Sequence, residues 1–167
     1  MPTKPSIERQ LLAEQLSHYR LQRHDFLNHW QVIMGYLQLG KADRALLYMQ
    51  EGVGGLEAEQ QIGQIPQDIV AASLLSLVIS LRKEGLWVDV KLASALKKEE
   101  FWQEFWQEEY GEAVFGYTKE CLAAILKSFQ GLEDPVVEID LCDAESFGCR
   151  ISLLDDEKVI FEHSLGL

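Results

Sequence analysis

The chain has 167 residues, 47% of them hydrophobic and 25% charged, the mix of a folded protein with enough apolar side chains for a core and too many for disorder. Its formal net charge of -12 argues against a nucleic-acid partner, whose phosphates would be repelled unless basic residues gathered into a patch, and no such patch is written in the chain. Met1 to Gln10 is polar and lacks the apolar core of a signal peptide, so a cytoplasmic protein, complete at this length, is expected.

From Ile7 to Leu39 the apolar positions Leu12, Leu16, Tyr19, Phe26, Trp30, Ile33 and Leu37 advance in alternating steps of three and four, with Arg23 taking the missing turn. That is a heptad seam on a helix of roughly 50 Å. Ser6 is its expected N-cap, with Glu8 in the first turn, and Gly40 its stop. A returning helix follows, with Leu46, Met49, Val53 and Leu56 on one side, weakened or bent by Gly52, Gly54 and Gly55. Two amphipathic helices joined by a tight turn cannot enclose a core alone. Two such hairpins can, as a four-helix bundle, so a homodimer is expected.

Beyond Pro66 the period changes. Gln67 to Glu84 reads as a helix ending at Gly85; its nearly apolar part, Ile69 to Leu81, is interrupted by Ser73, Ser76 and Ser80 and is too short to span a membrane. Leu86, Val88, Val90 and Leu92 then alternate with Trp87, Asp89 and Lys91 as a strand. Glu99 to Phe129 is helical again, with a break expected near Gly111 or Gly116. Three more strands follow, marked by Val137, Ile139 and Leu141, then Phe147, Cys149, Ile151 and Leu153, then Val159, Phe161 and His163, with the last two joined as a hairpin through Asp155 to Lys158. The expected fold class is α+β: residues 1–62 form a long helical hairpin, and residues 66–167 a small sandwich of helices on a mostly antiparallel sheet.

One local repeat stands out, Phe101-Trp102-Gln103-Glu104 followed by Phe105-Trp106-Gln107-Glu108. A period of four stacks like on like along a helix, which makes a broad aromatic face for core packing, with a partner surface or a plugged ligand pocket as the alternatives. The cysteines Cys121, Cys142 and Cys149 form no metal-binding pair and are expected as reduced thiols, with Cys149 filling a strand's inner face.

On the first helix Ser17, Arg20, His24, Asn28, Gln31 and Gly35 share one polar face beside the apolar seam. His24 therefore projects outward near the middle of the helix. A solvated surface histidine is the plain reading of that pattern; a reacting imidazole needs the same exposure, together with neighbours that orient its ring. Arg20 and Asn28 lie one turn before and after it. Asp25 points about 100° away, so its help would be electrostatic or would pass through another helix. His29 lies about 140° from His24, a poor metal pair, and no metal is expected. His18 has no supporting cluster in the sequence, and His163 is expected to face the sheet interior.

The run Arg23-His24-Asp25-Phe26-Leu27-Asn28-His29-Trp30-Gln31-Val32-Ile33, followed by Gly35-Tyr36-Leu37-Gln38-Leu39-Gly40-Lys41, resembles the phosphoacceptor helix of the citrate- and dicarboxylate-type sensor histidine kinases and of the related sporulation initiation phosphotransferase B family. The resemblance puts the phosphorylated histidine on His24 and, more loosely through Ile69 to Leu92, implies a degenerate ATPase-like domain over residues 66–167. The motif wording around His29 and Gln31-Val32-Ile33 is closer to the kinase branch. A kinase of that kind carries an Asn-rich helix for Mg·ATP, then Asp-Gly and Gly-rich segments, whereas Val114 to Phe129 has no asparagine, and Gly131, Gly148 and Gly166 sit in no phosphate-cradling run. With the sequence opening on the phosphoacceptor helix, no sensor domain or membrane span is expected before it.

The expected function is a phosphotransferase of two-component signalling. His24 takes a phosphoryl group from the aspartate of one response-regulator receiver domain and gives it to another in a phosphorelay such as that of sporulation. Arg20, Asp25, Asn28 and Gln31 assist, no cofactor is bound by this chain, and Mg²⁺ is supplied by the regulator. The alternatives are a catalytically inert module that binds a regulator or inhibits a kinase, and, less favoured by the residues, a kinase with an unrecognisable nucleotide site.

Overall fold

The computed structural model describes residues 5–53 and 56–167; the side chain of Val53 and the pair Gly54-Gly55, expected in the returning arm, lie outside the described residues. Helix α1 runs unbroken over Ile7–Gln38. Ser6 caps it, its hydroxyl accepting from the Arg9 N–H at 3.4 Å, and backbone hydrogen bonding followed by the Ser6 hydroxyl holds the Glu8 carboxyl below its ordinary range. The helix ends where Gly40 takes φ +69°: the Gly40 N–H donates to Leu37 O and the Lys41 N–H to Tyr36 O, satisfying carbonyls the helix leaves open.

The returning arm is two helices, α2 (Ala42–Val53) and α3 (Glu57–Ile62), where the sequence pattern suggests one. Burial explains the division. α2 packs chiefly against α1, while α3 sends Ala58 and Ile62 into the core beside the first strand, which a straight continuation of α2 could not reach. Helix α4 (Asp68–Lys83) follows Pro66, with the Gln67 side chain accepting from the Ile69 N–H at 2.7 Å. Its apolar run Val70, Leu74, Leu77, Val78 and Leu81 is the centre of the core. No helix among the described residues is long and apolar enough to cross a membrane.

The sheet has the order β1-β2-β3-β4, with β1 (Trp87–Leu92), β2 (Pro135–Cys142), β3 (Gly148–Asp155) and β4 (Lys158–Gly166). β1 pairs with β2 in parallel and the other two pairings are antiparallel. The register makes inward rows across the sheet: Val88, Val137, Leu153 and Phe161 in one, Val90, Ile139, Ile151 and His163 in the next. α4 and α6 (Tyr110–Ser128) cover that face. The opposite face carries Asp89, Glu138, Ser152 and Glu162, the alternate side chains of the period of two, of which Ser152 is buried.

One expectation is sharpened and one corrected here. The helical stretch after Glu99 breaks at residues 106–109, between α5 (Glu99–Phe105) and α6, near Gly111 as expected and away from Gly116. Gly111 lies inside α6 because α4 passes close by: a Cβ there would meet Ile69 Cδ1 at 3.2 Å. His163 takes the inward row as expected, its ring 5.1 Å from that of Tyr117 on α6, but it is exposed because β4 is an edge of the sheet. The aromatic repeat is core packing: Trp102 is buried, donates from Nε1 to Leu96 O at 2.9 Å and lies 5.4 Å from the Phe147 ring, and Phe101 stacks on Phe105.

Candidate functional site

The polar stripe of α1 faces solvent: Ser17, Arg20, His24, Asn28 and Gln31 are exposed and Gly35 is half-buried. The apolar residues of α1 that meet the rest of the chain lie on other sides of the helix, so nothing folds over this stripe. The His24 side chain is 74% exposed. Its Nδ1 lies 3.2 Å from Asn28 Nδ2, one turn along, and 3.6 Å from Asp25 Oδ1. Both partners of the ring therefore sit at Nδ1, at the end of the ring opposite Nε2. Arg20 and Gln31 flank the ring on the same stripe without a hydrogen bond to it.

This arrangement controls which nitrogen carries the proton. When the Asn28 amide donates, Nδ1 accepts and a neutral ring holds its proton on Nε2. Half a turn of the carboxamide presents its oxygen instead, which draws the proton to Nδ1 and leaves the Nε2 lone pair free. A carboxylate 3.6 Å from Nδ1, that of Asp25, attracts the N–H of this second state.

His29 is engaged elsewhere. Its Nδ1 lies 2.6 Å from the Tyr48 hydroxyl on α2, and the two close a wall of the groove that Phe26, Ile33 and Met49 line between α1 and α2. His18, for which the sequence shows no cluster, is half-buried and shares its surroundings with Glu14, Lys83 and Lys119. Burial is the largest cause lowering its pKa; Glu14 opposes the shift, and Lys83 and Lys119 add to it. Two of those neighbours come from α4 and α6, far along the chain, so no local spacing could have revealed them. Among the described residues no group of three or more His, Cys, Asp or Glu side chains could hold a metal ion.

Residues 7–65 match the family model of the sensor kinase SpoOB-type, alpha-helical domain. This hairpin is similar to the SpoOB type. The SpoOB-type match takes in α1, α2 and α3, with the whole polar stripe around His24, and stops before α4. Such domains are sensor-kinase-related modules of phosphotransfer and dimerisation in two-component signalling, in agreement with the resemblance carried by the run from Arg23 to Lys41. No curated protein matches the chain.

Proposed function

We propose that this chain is a homodimeric histidine phosphotransferase, whose His24 takes a phosphoryl group from an aspartyl phosphate on one response-regulator receiver domain and hands it to another. The observation that carries the reading is the ring itself: an exposed imidazole on a helix of the SpoOB-type match, with both of its partners at Nδ1. In the transfer, the Nε2 lone pair forms the N–P bond, the acyl P–O bond breaks, and the aspartate leaves as a carboxylate. The proton on Nδ1 stays on the ring, whose positive charge then faces Asp25. Arg20 neutralises the phosphoryl oxygens, and Asn28 and Gln31 orient the ring and the incoming domain; catalysis is mainly positioning and charge neutralisation. No cofactor belongs to this chain in the proposal, and Mg²⁺ comes with the receiver.

The dimer is supported by what the single chain leaves uncovered. On α1, Leu12, Leu16, Tyr19, Phe26, Trp30 and Leu37 are 47% to 63% exposed, and Leu46, Met49 and Leu56 continue the apolar surface. At roughly 100 Å² apiece these nine side chains supply about the 800 Å² that each partner contributes to a stable interface.

The test is acid-labile, base-stable label on the protein after exposure to a phosphorylated receiver domain. Label should appear on the wild type and vanish in His24→Gln, with folding stability changed by about 0.5 kcal/mol or less because the site is exposed. Asn28→Ala should label more slowly, His29→Gln should still label, and Mg·ATP alone should label nothing. A receiver that binds without labelling His24 would make the chain a docking module instead.

A further inference from the structure

The hairpin of α1 and α2 is attached to the rest of the molecule in two ways. One is the chain between α2 and α3, since α3 belongs to the core under β1. The other is the side of α1 that meets α4 and α6, where Leu11 is the one fully buried side chain of the helix. Beside it, in a groove that Leu12, Leu16, Leu75 and Ile79 also line, stand polar contacts. Glu14 Oε1 accepts from Lys119 Nζ on α6, and Gln15 Nε2 lies 3.3 Å from both Ala72 O and Ser76 Oγ on α4. Two atoms in the same place are buried without a hydrogen-bond partner, Glu14 Oε2 and His18 Nδ1. A permanent core fills or pairs such atoms, because each one left unpaired works against the docked state.

We propose that the junction of α1 with α4 and α6 is a charge-held latch, which parks the C-terminal unit on the Asp25 side of the His24 helix and releases it when His18 takes up a proton. The groups around His18 set the direction. Glu14 lies one turn back on α1 but is already held by Lys119; Lys83 closes the end of α4 and Lys119 stands on α6. Glu59 of α3 lines the same groove and is paired with Arg82 at 2.8 Å. A proton on His18 therefore adds a cation in a half-buried place beside two ammonium groups, and the opposing pull of Glu14, shared with Lys119, does not offset them. In the docked state burial and these lysines hold the imidazole below its ordinary value, while release returns it to water and to about 6.5. Docking is thus at full strength above that pH and weakens as pH falls through it toward the depressed value.

Hydrogen exchange followed by mass spectrometry on the whole chain tests the latch. At pH 7.5, Gln15→Ala and Glu14→Lys should each speed exchange across residues 11–19 by roughly five- to tenfold while β2 and β3 keep their protection. Glu14→Lys combined with Lys119→Glu should restore it. Lowering the pH to 5.5, after correction for intrinsic exchange, should open the same segment in the wild type and leave His18→Gln flat. Protection at residues 11–19 unchanged in both single variants, or a pH response that survives in His18→Gln, overturns the proposal. Failure of phosphotransfer would show only in the label on His24 and leave these rates as they are.

Discussion

Tyr117 on α6 donates its hydroxyl toward the carbonyls of Cys149 at 3.1 Å and His163 at 2.7 Å, tying the helix to β3 and β4 at the same point. Burial raises its phenol far above the ordinary range, so it stays a donor at any pH the fold survives. The thiols beside it are silenced in the same way: burial pushes Cys121 up to about 11 and Cys149 higher still, while Cys142 is exposed. Iodoacetamide at pH 8 should therefore modify one thiol, at Cys142, and reach Cys121 and Cys149 only with denaturant; rapid modification of three thiols in the native protein would contradict this burial. The inward position of Cys149 was legible in the alternation of its strand. The surroundings of His18 were not, because Lys83 and Lys119 approach it through tertiary packing, and the contact between His29 and Tyr48 escaped notice for the same reason.

At the scale of elements, the strands were the most legible part, since Val88 and Val90, Val137 and Ile139, and Ile151 and Leu153 alternate with polar neighbours and are buried as that alternation demands. Breaks in helices were less legible. The break expected near Gly111 or Gly116 falls at residues 106–109, just before Gly111, which the start of α6 keeps because Ile69 needs the room. The hairpin between β3 and β4 was placed correctly but uses unfavourable residues: Asp156 and Glu157 take φ 49° and 65°, a left-handed pair that Asn-Gly adopts with less strain. Replacing Asp156 by Asn and Glu157 by Gly should stabilise the protein by about 1 kcal/mol in urea titrations at an unchanged slope. A loss of stability would mean that the side chain of Asp156 or Glu157 outweighs the strain.

For the whole molecule, the proposed dimer makes a specific demand on two exposed residues. Phe26 and Trp30 are 59% and 50% exposed in the single chain and touch each other edge to face, so aspartate at either place should be harmless to a monomer. If the seam is covered by a second copy, Phe26→Asp and Trp30→Asp should instead yield monomers by light scattering at micromolar concentration, with the sheet unaffected. Wild-type protein that is already monomeric there would remove the dimer from the proposal.

The single parallel pairing in the sheet also bears on how the chain reaches this structure. β2, β3 and β4 are successive antiparallel neighbours with short connections and can zip together locally, whereas β1 meets β2 only after residues 93–134, with α5 and α6 among them, have been gathered into a crossover. Closing that long loop costs entropy before the pairing repays it. Refolding should order the last three strands first and add β1, with α3 behind it, at the end. The helix bearing His24 thus acquires its foothold on α4 and α6 only after a segment some eighty residues further along the chain has been made.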